Sequence, residues 1–420
     1  LGGMIFGGMI FQLAGAQGPV VAATAIIALA VLGNLVARLI PRVDAGAPEL
    51  KVRWNPLPES LAMLRLARRQ RGVRNAILGI SWFWFFGTLL TSQLPAYAEL
   101  HLGGTANSAS LYIFALALFS VGTGTGSLLC EKLSGRTVEI GLVPLGAFGM
   151  SVFLALSGAG PVTGLDAPGF LAAPGSVRIV IDLLGIGMFA GFFVVPLFAL
   201  VQSRTPASEM SRVFAAVNIQ NSLFIVAAAG TGIVLQTVLH WTIPQVLLAL
   251  AIANALVAIW IFTIVPEFLM RFLSWLLVRV LYRLRPHGIE EHVPDEGPAL
   301  IVCNHVSYMD ALILAASIPR PVRFVMYYRI FNIPVMRWIF RTARAIPIAG
   351  VREDPALMQR AFDEIDATLA EGELVCIFPE GALTRDGSIA PLKSRVEKVL
   401  ERAADACRPV PVVPMAVRGM

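Results

Sequence analysis

Residues 301–314 read IVCNHVSYMDALIL and set the pattern for the second part of the chain. An apolar run at 299–303 is interrupted by Asn304 and His305, and Asp310 follows five residues after the histidine. A histidine that acts as a general base needs a partner to fix its tautomer, usually a carboxylate. Five residues turn a helix by about 500°, so these side chains meet only if His305 lies in a turn and Asp310 opens the next helix. The alternative is a surface histidine beside an acidic helix start.

A second motif, FPEG at 378–381, also directly follows an apolar run, at 374–377. Candidate strands lie at 298–303, 322–326, 345–348, 374–378 and 410–417. Residues 356–370 carry apolar side chains at helical spacing, with charged side chains on the other face. Alternating strands and helices predict a mostly parallel sheet flanked by helices. Both motifs then lie at the carboxyl ends of strands, where open α/β sheets place their sites.

Together, the motif NHxxxxD at 304–310 and the motif FPEG resemble the PlsC-like superfamily of glycerolipid acyltransferases, from about residue 287 to the end. The resemblance implies direct transfer of an acyl group from a thioester to a hydroxyl, with no covalent enzyme intermediate. His305 would take the hydroxyl proton, and Asp310 would hold the imidazole. No cofactor is expected to be bound, and acyl carrier protein thioester (acyl-ACP) or acyl-CoA would be the co-substrate. Ser307 is not expected to be a nucleophile, because it lacks a nucleophile-elbow context.

The same resemblance implies the residues that bind the substrate. Glu380 and Gly381 match an acceptor-binding turn, in which the glycine allows backbone approach and the glutamate takes a hydroxyl or orders the loop. Arg385 is the nearest match to the arginine that follows FPEG and would hold the acceptor phosphate. Lys393 is a second candidate for the phosphate. For Arg385 and Lys393 the alternative is a solvated surface charge.

Two positions depart from the family pattern. Gly350, in the segment AIPIAGVRE at 345–353, stands where the family has an arginine, so Arg352 is the substitute phosphate ligand. Arg395 stands where the family has a glycine. The segment VPVVPMAV at 410–417 fits the last strand motif, after which we expect closing structure beyond this sequence. These departures leave open a domain that is catalytically silent.

The composition of the whole chain indicates a membrane protein. Its 420 residues are 56% hydrophobic and 14% charged, and the mean hydropathy is +0.73. A soluble protein carries about 25% charged residues. The sequence begins without methionine inside an apolar stretch, so we expect a fragment of a longer protein. The four cysteines are scattered without metal-ligand spacing, so neither a metal site nor a disulfide framework is expected.

Seven apolar segments are long enough to cross a membrane. They lie at about 19–40, 75–98, 108–129, 138–158, 178–202, 213–238 and 243–266. Three of the connections lack Lys and Arg: 99–107, 159–177 and 239–242. Lys or Arg is present in the two connections that alternate with these, 130–137 and 203–212. The positive-inside rule therefore places the basic loop 41–74 and everything after residue 266 in the cytoplasm. Nucleic-acid binding by that loop is not expected, because spans flank it.

One span, a long basic loop and six further spans resemble the C-terminal half of a major facilitator superfamily transporter. That resemblance implies parallel halves with a central cavity. Ionisable and amide groups inside spans are candidate transport residues, here Asp182, Asn218 and Asn221. Arg178, four residues before Asp182, offers a local ion pair as the alternative. The two asparagines either line a cavity or bond across helices.

Residues 267–286 are apolar, with arginines spread over nearly half of the helix circumference. This pattern predicts a basic helix or linker that lies in the membrane interface, with its arginines reaching anionic lipid headgroups. Such a helix would tether the following domain to the bilayer. A simple continuation of the last span is the alternative.

These patterns divide the chain into a transmembrane transporter part (1–266), an interfacial basic helix or linker (267–286) and an acyltransferase domain (287–420). The expected fold class is an all-α polytopic membrane domain, the C-terminal half of a major facilitator fold, followed by an α/β acyltransferase domain.

The resemblances imply a fusion protein of the bacterial inner membrane with a cytoplasmic acyltransferase domain. It would import or flip a lysophospholipid and reacylate its free hydroxyl from acyl-ACP or acyl-CoA, with 2-acyl-glycerophosphoethanolamine as an example. The expected partners are the lysophospholipid, the acyl thioester and membrane lipid, with no nucleic acid. One alternative is acylation of lysophosphatidate in phospholipid synthesis. Another is a transporter whose cytoplasmic domain is catalytically silent.

Overall fold

The structure, a computed structural model, describes most of the chain as two compact units. The described residues are 2–41, 55–102, 110–134, 139–157, 167–264, 266–294, 296–383, 391–405 and 410–418. The first unit comprises Leu1–Val138 and Leu142–Trp260, and the second comprises Glu139–Gly141 and Ile261–Met420. The predicted fold class is confirmed, since the first part is helical and the second contains a parallel sheet with helices.

The first unit is built from helices. They are α1 (Gly2–Leu13), α2 (Gly18–Ala37), α3 (Pro56–Ala67), α4 (Arg71–Leu100), α5 (Ser110–Ser134), α6 (Leu142–Ser157), α7 (Ala167–Ala172), α8 (Ser176–Arg204), α9 (Met210–Ile233) and α10 (Ile243–Ile264), with a 3-10 turn at Gly15–Gln17 and a π-turn at Val234–Val238. Six helical stretches within the described ranges are long and apolar enough to cross a membrane. They correspond to six of the seven predicted spans.

The remaining predicted span, 138–158, contains a helix that is shorter than the sequence pattern indicates. Its helix α6 has 16 residues and a length of about 24 Å, below the roughly 30 Å of a hydrocarbon core. The polar side chain of Glu139 in the preceding segment is buried and forms an ion pair with Arg271. The apolar run at 138–158 therefore included residues that do not belong to the helix.

The basic loop predicted at 41–74 also differs from the structure. Its described part contains the helix α3, whose first turn is capped by the side chain of Asn55, which accepts a hydrogen bond from the Leu57 backbone N–H at 3.1 Å. The next helix, α4, begins at Arg71 rather than at residue 75. Residues 42–54 lie outside the described part of the chain.

Glycines bring α5 and α8 into close contact. A Cβ atom at Gly122 would overlap the Leu184 carbonyl, and one at Gly126 would overlap the Met188 carbonyl. From the other helix, a Cβ atom at Gly187 would overlap the Phe119 carbonyl. Small residues four positions apart allow this approach of backbones, which is common where membrane helices pack. The glycines thus allow the backbones of α5 and α8 to pack close together.

The second unit contains a five-stranded parallel sheet. Its strands are β1 (Ala299–Cys303), β2 (Val322–Tyr327), β3 (Ile346–Ile348), β4 (Leu374–Ile377) and β5 (Val412–Met415), in the order β3-β2-β4-β1-β5. Its helices are α11 (Pro266–Leu281), α12 (Ile289–His292), α13 (Asp310–Ser317), α14 (Pro334–Thr342), α15 (Pro355–Ala370) and α16 (Arg395–Asp405), with a 3-10 turn at Tyr328–Asn332. All five predicted strands and the helix at 356–370 are present, within two or three residues at each end.

Apolar side chains on both faces of the sheet are covered, as the continuous apolar strands require. One face packs Ile301, Cys303 and Phe324 against Leu314 of α13. The other packs residues such as Leu300 against the apolar side of α15 and against Val399 of α16. The sheet therefore presents its carboxyl edge, which carries both sequence motifs, between these two layers.

The structure corrects the prediction that the arginines of 267–286 reach lipid headgroups at one position, Arg271. In α11, Arg271 is buried, forms the ion pair with Glu139 and donates a hydrogen bond to the Ile318 carbonyl at 3.0 Å. Burial lowers the pKa of Arg271 to about 10, so it stays charged at neutral pH. Val278 of α11 packs on α13. The exposed side of α11 carries Arg279 among apolar side chains at Leu273, Leu276, Leu277 and Val280.

Candidate active site

The turn after β1 brings the predicted catalytic pair together. β1 ends at Cys303 and α13 begins at Asp310, and the Nδ1 atom of His305 lies 2.9 Å from Oδ2 of Asp310. The Asp310 side chain is fully buried, whereas that of His305 is 22% exposed. With an ionised carboxylate as partner, Nδ1 carries the ring proton. Nε2, on the opposite side of the ring, is then left as a proton acceptor.

The same carboxylate also shapes the turn. Oδ2 of Asp310 accepts hydrogen bonds from the backbone N–H groups of Val306 at 2.8 Å and Ser307 at 2.9 Å. Because Oδ2 accepts three hydrogen bonds, it fixes the His305 ring relative to the backbone of the turn. The other oxygen, Oδ1, is buried without a hydrogen-bond partner among the described residues. A carboxylate at the start of α13 is also favoured by the helix dipole.

The FPEG motif lies directly against this pair. The Phe378 ring stacks on the His305 ring, with 4.3 Å between centroids and 24° between planes. Oε1 of Glu380 accepts a hydrogen bond from the His305 backbone N–H at 3.0 Å, and only 3% of Glu380 is exposed. Of the two roles expected for Glu380, taking a hydroxyl or ordering the loop, this contact corresponds to the second.

Gly381 and Lys393 meet at the end of the motif. Gly381 has φ +67°, a left-handed conformation that a side chain would strain. A Cβ atom there would stand 2.6 Å from Nζ of Lys393, and the Lys393 backbone N–H donates to the Pro379 carbonyl at 2.9 Å. The structure thus brings the exposed Lys393 ammonium to the turn beside His305.

Of the remaining phosphate candidates, Arg352 is described by the structure and lies away from His305. Arg352 is exposed in the turn after β3, and the nearby Gly350 is half-buried. β3 lies three strands from β1, about 14 Å at the usual strand spacing. Arg385 lies outside the described residues, and so does the side chain of Arg395.

Sequence reasoning assigned no role to Asn304, which joins two distant segments. Its Nδ2 donates to the Val417 carbonyl at 3.1 Å, and its Oδ1 accepts from the Val417 N–H at 2.8 Å. The pair of hydrogen bonds ties the end of β1 to the chain after β5 and so fixes where the His305 turn begins. The available signal was an amide at a strand end directly before the histidine.

Other nucleophilic side chains near the pair are engaged or protonated. Burial, with the Asp310 charge second, raises the pKa of the Cys303 thiol to about 11. Burial also raises the pKa of Cys376 well above its usual range. Oγ of Ser307 accepts a hydrogen bond from the Met309 N–H at 3.1 Å. The arrangement therefore favours a general base acting on an external nucleophile. Among the described side chains no group of three or more His, Cys, Asp or Glu could hold a metal ion.

The three transport candidates lie in different surroundings. Asp182 of α8 is buried, with Oδ2 3.6 Å from Nε of Arg178, so the local ion pair forms. Asn221 of α9 is buried and contacts Oγ of Ser81 in α4 at 2.9 Å, a bond across helices. Asn218 is exposed. The two asparagines therefore do not share one environment.

Two further polar contacts inside the first unit were not predicted. The Trp82 indole donates to Oδ1 of Asn254 at 2.8 Å, and Asn254 is fully buried. Nε2 of Gln236 donates to Oε1 of Gln93 at 2.6 Å. Amides inside spans were the only signal for these pairs, because the partners are far apart in the sequence.

The first part of the chain has apolar helices of membrane-crossing length, and the second has a parallel α/β sheet with a His–Asp pair. The chain is therefore a polytopic membrane protein that carries a domain with a candidate general base. The Major Facilitator Superfamily model matches residues 1–229, more than half of the chain, and the Acyltransferase model matches residues 285–418. The chain therefore belongs to the major facilitator superfamily and carries an acyltransferase-family domain fused to its transporter part.

Curated relatives match each part separately. The "Lysophospholipid transporter LplT" of Klebsiella pneumoniae (strain 342) is 30% identical over 187 residues, which cover 44% of this chain and 43% of that protein. LplT of Cronobacter sakazakii is 31% identical over 208 residues, covering 48% and 46%. The "1-acyl-sn-glycerol-3-phosphate acyltransferase BAT2, chloroplastic" of Brassica napus is 28% identical over 138 residues, covering 33% and 38%. The chain thus spans less than half the length of these relatives. No solved structure matches.

Proposed function

We propose that this protein transports a lysophospholipid across the bacterial inner membrane and reacylates it with its acyltransferase domain. The observation that carries the enzymatic part is the His305–Asp310 pair at 2.9 Å, with a buried carboxylate and a partly exposed ring. The relatives support both parts, because one group is named for lysophospholipid transport and the other for acylation of a lysophospholipid.

In the proposed reaction, Nε2 of His305 takes the proton of the acceptor hydroxyl while its oxygen attacks the carbonyl carbon of the thioester. The tetrahedral intermediate then breaks its C–S bond, and the leaving thiolate takes the proton back from the imidazolium. Asp310 stays ionised and stabilises the imidazolium between these two steps. General-base catalysis of this kind contributes about 10²–10⁴-fold in rate.

The acceptor is proposed to be a lysophospholipid such as 2-acyl-glycerophosphoethanolamine, with acyl-ACP or acyl-CoA as donor. Lys393 is the best-placed phosphate ligand, because its ammonium lies at the Gly381 turn. Arg352 and Arg385 are secondary candidates. Lysophosphatidate is the competing acceptor, and the names of the plant relatives favour it.

In the transporter part, we propose that Asp182, Asn218 and Asn221 take part in handling the lysophospholipid. The alternation of basic loops favours an acyltransferase domain on the cytoplasmic side. A lysophospholipid delivered to the inner leaflet would then be consumed beside its point of release. This pairing gives the fusion a physical rationale.

The test uses membranes that contain the full-length protein. Lysophosphatidylethanolamine and lysophosphatidate are supplied separately, each with labelled acyl-ACP or acyl-CoA, and wild type is compared with His305→Ala. We expect product from wild type and a loss of about 10²–10⁴-fold in the variant. The preferred acceptor decides between recycling and synthesis. Product formation that does not depend on His305 with any acceptor–donor pair would leave a transporter with a silent domain.

A further inference from the structure

A cluster of aromatic and charged side chains lies at the carboxyl edge of the sheet, apart from the His305 site. Tyr327 ends β2, Arg329 lies in the 3-10 turn that follows, and Glu353 lies in the turn after β3. Oε1 of Glu353 accepts a hydrogen bond from the Tyr327 hydroxyl at 2.8 Å and lies 3.6 Å from a guanidinium nitrogen of Arg329. Oε2 accepts from the Gly350 N–H at 3.3 Å.

The aromatic rings and the charges are bound to one another and open to solvent. The guanidinium carbon of Arg329 lies 5.9 Å from the centroid of the Tyr327 ring and 5.8 Å from that of Tyr328. The side chains of Arg329 and Glu353 are 62% and 37% exposed. The hydrogen bond from Tyr327, with that from Gly350, lowers the pKa of Glu353. Glu353 is therefore a carboxylate at neutral pH, held beside a guanidinium on a surface that a ligand can reach.

We propose that this cluster binds the zwitterionic head group of the acceptor, a phosphoethanolamine, with Arg329 facing the phosphate in addition to Lys393, and Glu353 facing the ammonium. The proposal rests on the acyltransferase function proposed above and names the substrate class within it. A guanidinium binds phosphate oxygens well, and a carboxylate accepts charge-assisted hydrogen bonds from a primary ammonium. The two tyrosine rings add faces that attract a cation.

The position of the cluster fits the length of such a substrate. β2 lies two strands from β1, about 10 Å at the usual spacing, on the same carboxyl edge as His305. Glu353 follows β3, one strand further, but its carboxylate reaches the hydroxyl of Tyr327 at the end of β2, at 2.8 Å. In 2-acyl-glycerophosphoethanolamine roughly nine bonds separate the free hydroxyl oxygen from the ammonium nitrogen, which span about 10 Å when extended. An acceptor with its hydroxyl at His305 therefore extends its head group towards the loops after β2 and β3.

The charges also distinguish acceptors. A zwitterion offers opposite charges to Arg329 and Glu353 in turn, so both protein groups gain a partner. A phosphomonoester, as in lysophosphatidate, offers two negative charges and no ammonium, so Glu353 would repel it. The site would therefore favour phosphoethanolamine over a phosphomonoester.

The test compares Glu353→Gln with wild type in membranes containing the full-length protein, using lysophosphatidylethanolamine and lysophosphatidate as acceptors. The control is Glu371→Gln. Glu371 is also an exposed carboxylate, and its Oε2 lies 3.7 Å from a guanidinium nitrogen of Arg323, but Arg323 is at the amino end of β2, away from the cluster. In Glu353→Gln the ratio of kcat/KM for lysophosphatidylethanolamine to that for lysophosphatidate should fall about tenfold, mainly through KM, as expected for one charge-assisted hydrogen bond. Glu371→Gln should leave the ratio unchanged.

A second variant separates binding from a purely structural tie between the two loops. Tyr327→Phe removes the hydroxyl but keeps the ring, and should change the ratio less than Glu353→Gln. Equal losses with both acceptors in both variants, together with a lower melting temperature, would overturn the proposal, as would an unchanged ratio in Glu353→Gln.

Binding of water-soluble glycerophosphoethanolamine and glycerol 3-phosphate, measured by calorimetry, gives a readout that does not need turnover. If Glu353→Gln weakens the binding of glycerophosphoethanolamine but not that of glycerol 3-phosphate, the site is supported even if wild type transfers no acyl group. Absence of acyl transfer with such binding would refute the proposed function and not the head-group site.

Discussion

At the scale of single residues, Asp310 has two tasks that one substitution separates. Asn at this position can place its amide oxygen where Oδ2 lies and still accept the hydrogen bonds from His305, Val306 and Ser307, but it carries no negative charge. The tautomer of the imidazole is then kept, whereas the imidazolium that forms during proton transfer loses its counter-charge. We expect Asp310→Asn to lower kcat about 10²–10⁴-fold with little change in KM. Steady-state kinetics with lysophospholipid and labelled acyl-CoA measure this.

The matched control is Asp354→Asn, at the start of α15. Asp354 accepts a hydrogen bond from the Leu357 N–H at 2.8 Å as a helix cap, and Asn caps helices about equally well. This variant should keep kcat and the melting temperature. If Asp310→Asn retains more than about a tenth of kcat, the imidazole does not depend on the carboxylate as proposed.

Cys303 lies next to the site, and its thiol should be inert at neutral pH. Burial raises its pKa to about 11, above the ordinary value, so the thiolate is scarce at neutral pH and increases only as the pH approaches 11. Because the thiolate is the reactive form, alkylation should be slow in the folded protein and rapid after unfolding. Mass spectrometry of the labelled peptide measures the rates. Fast labelling at neutral pH together with loss of activity would contradict this view of the site.

How far the residues could be predicted follows from their spacing in the chain. His305 and Asp310 are neighbours in one turn, so their contact could be predicted from the motif alone. The hydrogen bonds between Asn304 and Val417 join residues separated by 113 positions. They require the knowledge that β5 lies beside β1, which no local pattern contains. The same holds for Tyr327 and Glu353.

At the scale of elements, strands in the acyltransferase domain were predictable because short apolar runs end in turn residues. The helices were less so. The apolar run at 138–158 does not show that Glu139 is an ion-pair partner, and the periodicity of 267–286 does not show what covers each side of α11. Hydrophobic patterns identify a face to be buried, but its partner depends on tertiary packing.

The contact of α5 with α8 gives an element-scale prediction. Gly126→Ala places a methyl group against the Met188 carbonyl, whereas Gly124 of the same helix has nothing within 4 Å of its Cβ position. Alanine favours helix over glycine by about 0.5–1 kcal/mol at either position. We therefore expect Gly124→Ala to be neutral or stabilising, and Gly126→Ala to destabilise by about 1–3 kcal/mol through overpacking. Thermal unfolding of the detergent-solubilised protein compares them, and equal effects of both substitutions would show that the helices do not approach closely at Gly126.

The buried ion pair between Arg271 of α11 and Glu139 gives a second prediction at the scale of elements. Arg271→Met leaves the Glu139 carboxylate buried without its partner, which costs about 3–5 kcal/mol, and also removes the hydrogen bond to the Ile318 carbonyl. Adding Glu139→Gln removes the uncompensated charge and should restore much of the loss. Denaturant unfolding of the single and double variants gives the coupling energy. Additive effects would mean that Arg271 and Glu139 do not stabilise each other.

At the scale of the whole molecule, the alternation of basic loops makes an orientation prediction that side-chain contacts cannot make. Loop 203–212 and the acyltransferase domain should face the cytoplasm, and loop 239–242 should face the opposite side. Ser203, Leu239 and Gln359 are exposed, so cysteines placed there can be labelled. A membrane-impermeant maleimide applied to intact spheroplasts should label Leu239→Cys but neither Ser203→Cys nor Gln359→Cys. After permeabilisation all three should react, which controls for accessibility. Labelling of Gln359→Cys from outside would place the acyltransferase domain away from the cytoplasmic acyl donors, and a reacylating function at the inner leaflet could not hold.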